Sequence, residues 1–194
     1  SELQQLLSGT LNIGVTFSFS PILTETLLNF IKRYPHVKLN IHYKPMAELM
    51  QMLQRNEVDF VLAFKPYERH DNIESLALFN NHLAAIVHKN HPLAQKEKIV
   101  FEDLVKYDIA LPSKGLQARY TFDTIQSKYF SKLKVCIELN EVNILLKLIK
   151  ESNLVTILSE ASIHNENDIK AIPIDFPGNE MEGCVHMLKD VYRK

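Results

Sequence analysis

Residues 11–63 switch back and forth between two hydrophobic periodicities, and that alternation admits few folds. Leu11, Ile13 and Val15 repeat every second residue, the period of a strand. Ile22, Leu23, Thr26, Leu27, Phe30 and Ile31 repeat at helical spacing and make one apolar face that ends before Tyr34-Pro35. Val37, Leu39, Ile41 and Tyr43 return to period two, with Lys38, Asn40 and His42 on the opposite face. Met46, Leu49, Met50 and Leu53 read as a second helix, and residues 58–63 as an apolar strand covered on both faces. A strand–helix–strand–helix–strand order demands right-handed crossovers and a mostly parallel sheet with helices on both faces.

The first strand and helix are joined by a hydroxyl-rich turn, Thr16, Ser18 and Ser20, followed by Pro21. Ser20 is expected as the helix N-cap. Pro21 suits the first helical position, where its missing N–H would be unpaired anyway. Such a junction presents free N–H groups and the positive end of the helix dipole, a geometry that holds small anions. The same hydroxyls can equally do no more than cap the helix.

Past a polar loop at 65–72, residues 73–79 and 82–90 read as two extended segments separated by Asn80-Asn81. A second αβ series follows: a short helix at 101–105, a strand at 109–111, a helix from Gly115 to about Tyr129 and a strand at 134–139. Asn140 is expected to cap a helix running to about Lys150, with Val142, Leu145, Leu146 and Ile149 on its buried face. A buried strand at 154–158 and extended segments at 171–174 and 183–188 complete the series. The pattern predicts two α/β lobes. The chain crosses between them near 79–82 and again near 175–179, leaving a cleft with hinges at the crossings.

Composition removes several classes of function. Across 194 residues the formal net charge is −1, so a basic face strong enough to hold nucleic-acid phosphates is not expected. No apolar run approaches the roughly 18 residues of a membrane span, and no signal peptide opens the chain. It begins SELQQLLSGT without an initiator Met, as expected of an excised piece. Cys136 and Cys184 both sit in apolar alternation and are expected to be buried thiols in a reducing cytoplasm. Nucleotide-binding glycine loops, nucleophile elbows and zinc motifs are absent. His88 and His91 lack neighbouring cysteines or carboxylates and are expected at the surface. Glu138 and Glu141 flank a strand–helix junction, where Glu141 complements the helix dipole. No catalytic constellation, cofactor or metal site is expected.

Four passages, in order, resemble one family. They are Gly9-x-Leu11-x-Ile13-Gly14, Phe30-x-x-x-Tyr34-Pro35-x-Val37, Asp59-Phe60-Val61-Leu62-Ala63-Phe64, and His91-Pro92-Leu93-Ala94 after an apolar strand. Together they resemble the effector-binding domain of a LysR-type transcriptional regulator, over nearly the whole chain. A VT…F opening and an AF-x-P turn look most like the regulators of cyanate operons. The chain departs from the family in a shorter stretch from Gly14 to Phe30. It also has Ser152-Asn153-Leu154 in place of a Gly-rich turn, and it ends at Lys194, where a last helix would begin.

The resemblance implies an α/β fold of two Rossmann-like lobes with a ligand cleft between them, like the type II periplasmic binding proteins. It divides the chain into the tail of a linker helix (1–9), lobe I (10–78 and 180–194), lobe II (82–176) and hinges (79–81 and 177–179). It implies a small, anionic effector, a homodimer or homotetramer in the cytoplasm, and DNA contact only through an N-terminal helix-turn-helix outside this sequence. No membrane and no catalysis are implied. A solute-binding protein of a transport system shares the two-lobed architecture and is the alternative; an enzyme on such a fold would need a nucleophile or acid–base pair in the cleft. Carried over residue by residue, the effector positions are Thr16 and Ser18 at the first strand–helix turn, and Phe64, Lys65 and Pro66 after the third strand. In the second lobe they are Ser113, Lys114, Gln117 and Arg119, with Asn143 at the start of a later helix.

Overall fold

A computed structural model describes residues 7–66, 69–126 and 130–189 and turns the alternation into two α/β lobes that share one long strand. In the first lobe β1 (Ser8–Val15) lies between two parallel neighbours. β2 (His36–Tyr43) pairs from Ser8↔His36 to Val15↔Tyr43, and β3 (Phe60–Phe64) from Ile13↔Phe60 to Val15↔Leu62. The connections are α1 (Ser20–Arg33) and α2 (Met46–Gln54). Leu49 and Leu53 of α2 are fully buried with Val58, Val61 and Ala63. Each buried Leu or Val side chain here contributes about 1.5–3 kcal/mol. The opposite helix, α1, has no fully buried residue, and Leu28 and Ile31 on it are exposed.

β4 (Ile73–His88) belongs to both lobes. Its first part, up to His82, runs antiparallel to β9 (Glu180–Leu188), which in turn lies antiparallel to β3. From Leu83 onward it pairs antiparallel with β7 (Thr156–Ser159) and β8 (Ile169–Pro173). The second lobe adds the parallel pair β5 (Asp108–Pro112) and β6 (Lys134–Leu139), tied to the rest by the bridge Ile109↔Val155. Its helices are α3 (Phe101–Leu104), α4 (Gln117–Gln126) and α5 (Val142–Lys150). The two-lobed class is therefore as expected. The parallel character stops at β3 in the first lobe and at β7 in the second, because the chain passes between lobes on strands rather than helices.

Several local expectations fail for identifiable reasons. Asn80-Asn81 does not break the strand, since Asn81 is buried and donates from Nδ2 to Met181 O at 3.2 Å. Ser20 is not the cap of α1. Thr16 has extended backbone, a 3-10 turn at Phe17–Phe19 follows it, and Phe19 N donates to Thr16 O at 3.0 Å. That turn runs straight into the helix, so winding begins before Ser20. Asn140 is displaced as cap of α5 by Glu141, whose Oε2 accepts from Ile144 N at 2.7 Å. Cys136 is exposed, because it shares the outer face of β6 with Lys134 and Glu138; Cys184 is buried. The two thiols are free. His91 is buried rather than exposed, capping a 3-10 turn by accepting from Leu93 N at 3.0 Å on Nδ1, with its ring against Tyr107. Ser8 and Gly9, read as the tail of a linker helix, are strand residues of β1. Residues 1–6, 67–68, 127–129 and 190–194 lie outside the described residues, and with them most of that linker segment, part of the predicted loop at 65–72 and the ends of two predicted elements.

Candidate functional site

The site grows out of a mismatch in strand length. Thr16 N donates to Leu62 O at 3.2 Å, and there the β1–β3 ladder ends, because Thr16 O is taken by Phe19 N as the chain turns away. β3 continues for two more residues. The N–H and C=O of Phe64 on that side therefore lack a strand partner, and buried peptide groups left unpaired are costly. Lys65 N, pointing the other way, donates to Glu182 O of β9 at 2.8 Å.

Gln117, the first residue of α4 in the second lobe, supplies what β1 does not. Phe64 N donates to Gln117 Oε1 at 2.8 Å, and Gln117 Nε2 donates to Phe64 O at 2.6 Å. Thr16 Oγ1 donates to the same Oε1 at 3.2 Å. Three sequence-nominated residues thus meet across the lobes. The ring of Phe64 packs below them, 5.2 Å from Phe19 and 6.2 Å from Phe79 between centroids. Phe79 in turn lies over Gly183, where any side chain would collide with its ring.

Beside this contact is a cavity of about 360 Å³, lined by Phe64, Lys65, Pro66, Gln117, Thr121, Gly178, Glu180, Met181 and Glu182. Its volume is in the range of small-ligand sites. Lys65 is exposed and makes no ion pair among the described residues. A second cavity of about 560 Å³ adjoins it through Pro66 and Gln117; it is mainly apolar, with Met46, Met50, Leu116 and Tyr120 in its walls. Thr121, Glu180 and Glu182 were not nominated. They come from the middle of α4 and from the return strand, which only tertiary contact brings to the cleft. The Pro177-Gly178-Asn179 turn, with Gly178 at φ 89°, was the one available signal that this return passes nearby.

The remaining nominated residues behave differently. Ser18 is buried in the 3-10 turn, and its Oγ has no partner among the described residues. Ser113 N donates to Leu139 O at 2.9 Å, tying β5 to β6, and the exposed Lys114 follows it. Arg119 faces its own lobe and is only 2 % exposed. Its Nε donates to Asp123 at 2.9 and 3.0 Å, and Nη1 to Glu138 Oε1 at 2.6 Å and to Pro112 O at 3.2 Å. Burial works against its charge, but the hydrogen bonds with Glu138 and Asp123 outweigh it and raise the pKa further. Asn143 is exposed and donates to Glu141 Oε1 at 3.2 Å, so it supports a helix cap.

His186 is buried within lobe I beside β3, next to a cavity that Lys65 and Pro66 also line. Its Nδ1 lies 2.7 Å from Ser75 Oγ and its Nε2 3.3 Å from Ala63 O. Desolvation lowers its pKa against the opposing backbone bonds, so the ring is neutral, accepting from Ser75 and donating to Ala63. Among the described residues no cluster of three or more His, Cys, Asp or Glu is placed to hold a metal ion, and no helix is long and apolar enough to cross a membrane.

Comparison with known proteins gives consistent matches. The family model described as the LysR substrate binding domain matches residues 4–189. The chain is 27% identical over 173 residues to the transcriptional dual regulator GltC of Bacillus subtilis, covering 87% of this chain and 57% of that protein. It is 21% identical over 169 residues to the HTH-type transcriptional regulator CysB of Burkholderia cenocepacia, covering 86% and 54%. It thus spans little more than half the length of these relatives. Among solved structures, the cofactor-binding domain of the Cbl transcriptional regulator superposes with a TM-score of 0.79 at 17% identity, covering 100% of this chain and 86% of that one. The regulatory domain of Synechocystis CcmR in complex with 2-PG gives 0.80 at 21%, covering 96% and 91%. The effector-binding domain of QuiR in complex with shikimate gives 0.74 at 20%, covering 97% and 91%.

Proposed function

We infer the function of this chain from its membership: it belongs to the LysR substrate-binding domain family, a family of transcription regulators and not of enzymes. The domain is the effector-binding part of such a regulator. Its effector is a small anionic metabolite held in the cleft between lobes I and II. The observation that carries this reading is the cavity of about 360 Å³ between lobes that meet through Thr16, Phe64 and Gln117. Support for a negative charge comes from Lys65, which lines it together with Glu180 and Glu182, and from the hydroxyl of Ser18, buried at the turn into α1 with no hydrogen-bond partner among the described residues. Lobe I takes residues 10–78 and 180–194, and lobe II residues 82–176, with hinges at 79–81 and 177–179. Ligand binding between them biases the lobe arrangement only by the difference in its affinity for the two states. In the whole protein this bias is passed, within a cytoplasmic homodimer or homotetramer, to N-terminal helix-turn-helix domains that read operator half-sites. Within the family we place it with the regulators of cyanate operons, on the VT…F opening after β1 and the Ala63-Phe64-Lys65-Pro66 turn.

Calorimetric titration tests the placement, with cyanate as the first of a series of small anions. The wild-type chain should bind one of them with a micromolar Kd. Thr16→Ala and Ser18→Ala should each weaken it by about tenfold or more, the worth of one charge-assisted hydrogen bond of about 1.5–3 kcal/mol. Both variants should still unfold in a cooperative melt, showing that the domain stays folded. Affinity unchanged from wild type in both variants would sink the placement.

A further inference from the structure

We propose that the free peptide edge of Phe64 and the Thr16 hydroxyl form a carboxamide-recognising subsite, which Gln117 fills in cis from the opposite lobe. Phe64 presents one donor and one acceptor side by side, and Thr16 adds a second donor beside the first. The side-chain amide of Gln117 answers them with one acceptor and one donor. Its orientation is dictated by the peptide, since only the nitrogen can meet Phe64 O. The arrangement completes the strand ladder that β1 abandons at Thr16.

A carboxylate could accept from Phe64 N and from Thr16, but its second oxygen would lie against Phe64 O with no hydrogen between them. A site built to satisfy both peptide groups therefore prefers a primary carboxamide, or a urea-like group with the same acceptor–donor pair, over the isosteric carboxylate. The neighbouring cavity has room for the rest of a small molecule, and Lys65 lies on its rim for the anionic end. Gln117 is then a tethered competitor that holds the lobes together until a ligand carrying the same group replaces it. This deepens the reading of the cleft as the effector site and rests on it.

The test removes the tethered group and returns it free. In Gln117→Ala the lost atoms correspond to acetamide, and acetate is its carboxylate counterpart. Acetamide titrated into the isotope-labelled 194-residue chain should shift the Phe64 and Thr16 amide resonances of the variant. Its Kd should be at least tenfold lower than for wild type, where Gln117 competes, and acetate at equal concentration should leave those resonances in place. Acetate acting as well as acetamide, acetamide binding both proteins alike, or neither moving the two resonances would each overturn the subsite. Should Gln117→Ala fail to fold, Gln117→Glu keeps size and shape but cannot donate to Phe64 O. Hydrogen exchange at the Phe64 amide should then be at least tenfold faster than in wild type, and an unchanged rate overturns the proposal. If no small anion binds the wild-type chain while acetamide still discriminates, the effector reading fails and the subsite stands.

Discussion

Gln117 and Arg119 stand two residues apart on α4 and lead opposite lives. Gln117 reaches out of its lobe to the peptide of Phe64 and the hydroxyl of Thr16. Arg119 turns inward and ties α4 to β5 and β6 through Pro112 O and Glu138, with Asp123 one helical turn along. The first set of bonds spans the two lobes, and the second lies inside one lobe. A polar side chain on a helix near a cleft is therefore not a ligand contact by position alone. Residues two apart on a helix point about 200° apart, so one can face the neighbouring lobe while the other faces the core.

The widest separation between the two should come from stability. Arg119→Ala removes hydrogen bonds with two carboxylates and leaves Pro112 O without this donor, and should cost about 2–3 kcal/mol in urea denaturation. Gln117→Ala, whose bonds run between the lobes, should cost well under half of that. Equal losses would erase the distinction between a lobe-internal and an inter-lobe network. The cap of α5 supplies an intermediate case confined to one helix. Glu141→Ala should lower stability by about 1 kcal/mol, as loss of a helix N-cap does, with effector affinity unchanged. A change in affinity there would move Asn143 and its neighbours into the ligand site.

Neither α4 network contains a histidine, although His186 contacts Ala63 O, the carbonyl of the peptide whose N–H Gln117 receives. His186 and His91 both have pKa values lowered chiefly by burial. Below about pH 6.5 the unfolded chain takes up protons on these rings while the folded one does not. Their contribution is thus fully present above that pH and is lost as pH falls from there through the folded pKa values. Melting temperature should drop on acidification through this window, and His186→Gln should flatten the slope. A melting temperature that rises on acidification would show a charged, partnered ring instead.

How much could be read from the chain depends on the range of each interaction. The parallel strands, α1, α2 and the buried face of α5 follow from periodicity, because burying one face of a strand or helix imposes spacings of two or of three to four residues. The failures are places where a distant partner overrode a local preference. Asn80-Asn81 looks like a turn, yet Met181 takes the Asn81 amide and the strand continues. His91 and Cys136 were misplaced because burial there depends on which sheet edge or turn covers them. The nearest part of the Arg119 network, Asp123 at i+4, was open to inspection; Glu138, nineteen residues away, was not. Of the nominated site residues, the structure brings Thr16, Phe64 and Gln117 into one hydrogen-bonded set with Lys65 and Pro66 alongside, whereas Arg119 and Asn143 have partners of their own.

By itself the sequence determined the order and type of the elements, the two-lobed α/β class and the resemblance to a regulator family, since all three are written in spacings of a few residues. Tertiary structure alone decided that β3 outruns β1 and leaves a peptide edge bare. It also decided that Gln117, 53 residues from Phe64 and 101 from Thr16, is the group that covers that edge. The reason is physical: hydrophobic periodicity is a local property of the chain. The pairing of a buried peptide group is settled only by whichever donor or acceptor the closed fold brings within hydrogen-bond reach.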